Sequence, residues 1–82
     1  MTVAQQFGSN LARLRKRADM SQEELAWGAS VHRTEVSQLE RGLRVARVDT
    51  VAKLAGALEV NPGEFFEGIA WTPGSVRPGG FI

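Results

Sequence analysis

At 82 residues the chain is long enough for one domain, but only about 60–65% of its unfolded surface can be buried at that size, so one small core is expected, which dimerisation would extend. It has no cysteine and one histidine, which excludes a disulfide framework and a thiolate metal site and leaves no basis for a zinc site without several converging carboxylates. The formal net charge of +1 conceals polarity: residues 1–53 carry nine basic and six acidic side chains (+3), and residues 54–82 carry Arg77 against Glu59, Glu64 and Glu67 (−2).

Phe7, Leu11, Leu14 and Ala18 recur at three- and four-residue spacing, which predicts a first helix from Val3 or Ala4 to Ala18. Arg13, Arg15, Lys16 and Arg17 lie on its other faces near the C-terminus, where cations meet the negative end of the helix dipole. They serve either as a solvated face or, for one or two of them, as phosphate-steering groups; Arg13 and Arg17 are the candidates for phosphate contact.

Ser21 followed by Glu24 is a capping-box pattern, so a second helix starts at Gln22. Its N-terminus can face a phosphate, with Gln22 placed to bond the same oxygen. Leu25, Ala26 and Ala29 are expected to face inward, and Ala26 lies where the next helix should cross. For Trp27, core packing, a backbone contact to nucleic acid and a subunit contact are all open, with packing ahead. A sharp turn must follow, where Ser30 is expected to hold a left-handed conformation at roughly 1 kcal/mol, and Gly28 could let the turn begin early.

Val31 should plug the core at the bend. A third helix then runs from His32 or Arg33 to Arg41 and ends at Gly42. Val36 and Leu39 are its inward anchors, and their spacing leaves Arg33, Thr34, Ser37 and Gln38 outward. Arg33 can bond guanine O6 and N7 or grip a phosphate, and Gln38 can pair with adenine N6 and N7. Thr34 offers a methyl and a hydroxyl, and Ser37 is short enough to allow close approach to a groove floor. These four are the candidates for DNA base contact; Gln22, His32, Arg41 and Arg44 join Arg13 and Arg17 as candidates for phosphate contact. Glu35 could pair with Arg33 or Arg15, accept from cytosine N4, or face away. Glu40 is expected to hold a loop or a basic side chain, because an unpaired carboxylate near phosphate repels it.

A loop through Gly42, Arg44 and Arg47 leads into a fourth helix over Val48 to Leu58, with Val48, Val51, Leu54, Ala55 and Leu58 as its apolar stripe and Val60 closing the turn. Asn61-Pro62 signals another helix start, and Phe65 or Phe66 should bury a ring against the first helix.

Over residues 7–66 the chain resembles the phage-repressor type of helix-turn-helix domain, the XRE or Cro/repressor family. The resemblance is carried by Ser21-Gln22-Glu23-Glu24-Leu25-Ala26, Val31, Val36-Ser37-Gln38-Leu39-Glu40-Arg41-Gly42, Asp49-Thr50-Val51 and Ala57-Leu58-Glu59-Val60. It implies an all-α, five-helix lambda-repressor-like domain in which Gln22 anchors a phosphate and the helix carrying Arg33 to Gln38 enters the major groove. Two departures stand out: Ser30 replaces the usual turn glycine, and Ala46 stands where many members have proline.

The expected division is a DNA-binding domain over residues 1–67 and a tail over residues 68–82, where short apolar pieces flank a segment rich in turn residues. Trp71 and Phe81 are candidates for docking on the domain or on a second subunit, either as an extended tail or as short β-strands. The expectation is a cytoplasmic transcriptional regulator that binds double-stranded DNA as a homodimer on an inverted repeat, with no cofactor and no membrane association. Without a nucleophile–base pair, paired carboxylates or a glycine-rich phosphate cradle at usable spacing, catalysis is not expected. The alternative is a protein-interaction module, such as an antitoxin-like or adaptor subunit, with Trp27 and the tail as its working surface and only weak DNA binding.

Overall fold

The computed structural model describes residues 1–74; Phe81, with the other residues of 75–82, lies outside them. Four α-helices follow one another: α1 (Val3–Arg17), α2 (Gln22–Ala29), α3 (Arg33–Glu40) and α4 (Val48–Leu58). The fifth element is a 3-10 helix over Pro62–Phe66 rather than the expected α-helix. Five residues opening with Pro-Gly are too few to propagate an α-helix, and 3-10 geometry is the usual form of so short a piece. The described part of the tail, residues 68–74, contains no strand, so the expectation of short strands finds no support there.

The helix starts follow from local chemistry. Thr2 with Gln5, and Ser21 with Glu24, form reciprocal capping boxes. The Ser21 backbone N–H, and then its hydroxyl, hold the Glu24 carboxyl below its ordinary value. The ends share one device. Asp19, Ser30, Gly42 and Glu59 follow the four helices with φ between 56° and 70°, and Met20, Val31, Leu43 and Val60 each send a backbone N–H back to a carbonyl of the last turn. Ser30 thus holds the left-handed conformation expected of it (φ 56°, ψ 41°), but α2 continues through Ala29 and Gly28 does not end it early.

One core unites all five elements: Phe7, Leu11 and Leu14 from α1, Leu25, Ala26 and Ala29 from α2, Val36 and Leu39 from α3, Leu54, Ala55 and Leu58 from α4, and Phe65. Val31, Val51 and Val60 are partly buried against it. Phe7 makes a tilted contact with Phe65 (centroids 5.4 Å apart) and an edge contact with Phe66 (5.6 Å).

Three apolar assignments are corrected. Val48 is 88% exposed: it lies on the correct face of α4, but as the first helical residue it projects beyond the packed elements. Ala18 is an exposed cap residue, and its backbone N–H closes the last turn of α1 instead. Trp27 is 88% exposed, because α2 buries positions 25, 26 and 29 and position 27 falls on the opposite side.

Three polar or small residues carry structure that the apolar spacing does not display. Asn10 is buried within α1 and donates to the carbonyls of Phe65 and Glu67, both at 2.8 Å, while accepting from Gln6. Thr50 is buried on α4, its hydroxyl 3.5 Å from Glu35 Oε2. Gly8 lets α1 pass against the end of α3: a methyl there would meet the Leu39 carbonyl oxygen and lie 2.8 Å from that of Glu40.

Candidate nucleic-acid interface

Eight residues make α3, and its buried side is fixed before its exposed side can act. Val36 and Leu39 are fully buried, and next to them Glu40 receives Arg15 as a bidentate partner, Nε to Oε2 at 2.6 Å and Nη2 to Oε1 at 3.0 Å. Both side chains are nearly enclosed, at 12% and 6% exposure. Arg15 also donates to the Met20 carbonyl at 2.8 Å, and Gln22 Nε2 donates to Glu40 Oε1 at 3.0 Å. The hydrogen bond to Glu40 raises the Arg15 pKa above its ordinary value against the opposing effect of burial. One carboxylate therefore joins the end of α1, the start of α2 and the end of α3. Glu40 holds a basic side chain as expected; Arg15 is its partner, and Arg15 does not pair with Glu35.

The fixed helix presents Arg33, Thr34, Ser37 and Gln38 in two adjacent rows on one face. Arg33 and Thr34 are exposed, and Ser37 and Gln38 are half-buried. Arg44, from the loop after α3, donates to Gln38 Oε1 at 3.1 Å, which leaves the two amide hydrogens of Gln38 free to donate outward. At the start of α3, His32 Nδ1 accepts from the Thr34 backbone N–H at 3.1 Å. Its remaining ring proton then sits on Nε2, an exposed donor. The first turns of α2 and α3 open together onto a shallow concavity bordered by Ser21, Trp27, Val31, His32 and Arg33.

The other phosphate candidates divide by location. Arg41 and Arg44 flank the exposed side of α3. Arg13 and Arg17 point toward the 3-10 helix, where they pair with Glu67 at 3.3 Å and Glu64 at 3.2 Å. Gln22 stands at the first position of α2 with its amide already engaged by Glu40. The Arg15–Glu40–Gln22 cluster was the part of the site least visible in the sequence; its only signal was a glutamate one turn beyond the outward polar set.

The helix-turn-helix family HTH_3 matches residues 11–65, which takes in α2, the Ser30 turn and α3. The chain belongs to this family. Its members are DNA-binding transcriptional regulators, which disfavours the protein-interaction module as the principal role. This helix-turn-helix chain is 37% identical over 62 residues to control protein C.BamHI of Bacillus amyloliquefaciens, covering 74% of this chain and 76% of the relative. It is 36% identical over 77 residues to the uncharacterized HTH-type transcriptional regulator y4dJ of Sinorhizobium fredii, covering 94% of this chain and all of the relative. Among solved structures, the restriction-modification controller protein C.AhdI from Aeromonas hydrophila superimposes with a TM-score of 0.75 at 38% identity, over 77% of this chain and 96% of that one. No helix among the described residues is long and apolar enough to cross a membrane.

Proposed function

We propose that this regulator recognises a specific duplex sequence by laying α3 in the major groove, and that two copies do so together on an inverted repeat. The observation that carries the reading is the outward face of Arg33, Thr34, Ser37 and Gln38 on a helix whose opposite side is locked by Val36, Leu39 and the Arg15–Glu40 pair. A reader of base edges needs donors and acceptors on a rigid support, because a loose helix would lose register with the groove. In this division of labour those four residues read bases. Arg41, Arg44, Gln22 and the His32 Nε2–H hold phosphates and set the register. Arg13 and Arg17, already paired to the 3-10 helix, contribute to the positive field rather than to direct contacts.

The likeness to two controller proteins supports a narrower form of the proposal, in which the genes governed belong to a restriction-modification system. Selection from random duplex DNA at two salt concentrations tests the whole reading. An enriched palindrome whose half-sites lie about one helical turn apart supports it; binding that vanishes with added salt and enriches nothing refutes it. An enriched sequence upstream of restriction or methyltransferase genes supports the narrower form. Arg33→Ala is expected to cost about 1–3 kcal/mol on the selected sequence and to relax preference at one base pair. Equal losses on selected and random DNA would place Arg33 on a phosphate instead.

A further inference from the structure

The loop after α3 is fixed before its arginine reaches the helix. Gly42 turns the chain at φ 70°, in a place where a side-chain methyl would lie 2.7 Å from Gln5 Cγ and 2.9 Å from its Cα. The Leu43 backbone N–H then returns to the Gln38 carbonyl at 2.9 Å. Arg44 is thereby brought back alongside the helix the chain has just left, and its Nη1 donates to Gln38 Oε1 at 3.1 Å. A guanidinium has only donors, so the amide atom that meets it must be the oxygen. The orientation of the Gln38 amide follows: its oxygen is committed to the loop and its NH2 group is left for the groove.

We propose that Arg44 makes Gln38 a reader of guanine rather than of adenine, on the reading above that α3 lies in the major groove. A glutamine without such a partner suits adenine, because its oxygen accepts from N6 while its NH2 group donates to N7. Here the oxygen already serves a cation, which draws its electron density away and leaves it a weaker acceptor for a second, neutral donor. The same polarisation makes the NH2 group a stronger donor. Guanine presents two acceptors on its major-groove edge, N7 and O6, and no donor. Adenine N6 and cytosine N4 would each set a donor against a donor, and thymine supplies one acceptor where guanine supplies two.

Arg44 is thus a positioning residue for the base contact. One N–H of its guanidinium is used on Gln38, and the rest remain for a phosphate. A phosphate contact alone carries no sequence information; through Gln38 the same cation bears on which base is accepted.

Selection of duplexes from a random pool, run with wild type, Gln38→Ala and Arg44→Ala, tests the inference. Arg44 is exposed, so circular dichroism melting should show Arg44→Ala folded as wild type. The base pair at which Gln38→Ala relaxes preference is the one that Gln38 reads. The expected result is guanine enriched there by wild type, and a ratio of guanine to adenine that falls about tenfold in Arg44→Ala, as the oxygen is released to accept from N6. Loss of a phosphate contact weakens binding to every sequence and leaves that ratio unchanged, so an unchanged ratio overturns the inference. Replacing this guanine by 7-deazaguanine, which lacks the N7 acceptor, should weaken wild type about tenfold and Gln38→Ala hardly at all; equal losses in both overturn it. Adenine enriched by wild type at that pair also overturns it, as does an enriched sequence in which no pair relaxes in Gln38→Ala, and both leave DNA reading by α3 standing. A pool in which nothing is enriched removes the DNA-reading role and this inference with it.

Discussion

Helix α1 has two charged borders, and they are built on different physics. Toward α3 it offers Arg15, nearly enclosed and gripping Glu40 with two hydrogen bonds. Toward the 3-10 helix it offers Arg13 and Arg17, whose single contacts to Glu67 and Glu64 lie in solvent. On this second border Asn10 does the holding as a neutral group, with both of its amide hydrogens on backbone carbonyls. The difference shows that the number of ion pairs says little about fastening; enclosure and hydrogen-bond geometry decide it. The enclosed pair stands where the DNA-reading helix must be immobile.

The comparison breaks first at Glu40. Glu40→Ala leaves the Arg15 guanidinium enclosed without its carboxylate and is expected to cost about 3–5 kcal/mol, measured as a lower urea midpoint. A loss below 1 kcal/mol would mean that the pair behaves like its exposed neighbours. Next in size is Asn10→Ala, which strands the Phe65 carbonyl and should cost about 1–3 kcal/mol. Hydrogen exchange sharpens that result, since amides near residues 65–67 should lose protection while those of α3 keep theirs. Smallest are Glu64→Gln and Glu67→Gln, each expected to change stability by less than about 1 kcal/mol and to have even less effect at high salt. A larger loss at either position would erase the distinction between the borders.

Much of this arrangement was legible in the sequence, because helical periodicity and capping chemistry are local. The starts of α1 and α2, the Ser30 turn, the Asn61-Pro62 start and the inward positions Leu25, Val36, Leu39 and Leu54 all follow from residues within a few positions of one another. What failed to show depends on distant partners. Val48 fits the stripe of α4, and only the end of the packed region removes it from the core. For Trp27 the sequence places packing ahead of a nucleic-acid backbone contact and a subunit contact, but the fold turns it outward, opposite the buried positions 25, 26 and 29. Nothing near Asn10 in the sequence reveals its role, because its partners are the backbone carbonyls of Phe65 and Glu67, more than fifty residues away. Arg15 was one of four clustered cations, and no local rule separates the one that meets Glu40 from those that meet solvent or the 3-10 helix. At the site, spacing alone separates the outward row from the anchors, while the Arg44–Gln38 bond required the loop to fold back.

Three of the four helices are terminated by a left-handed residue other than glycine, at Asp19, Ser30 and Glu59. Each forgoes up to roughly 1 kcal/mol that glycine would recover at a positive φ. At Asp19 and Glu59, which lie outside the α2–turn–α3 unit that carries the base-reading row, the chain thus keeps unused headroom in its melting temperature, and an engineer could claim it one residue at a time. Durability and recognition are separately adjustable in this protein.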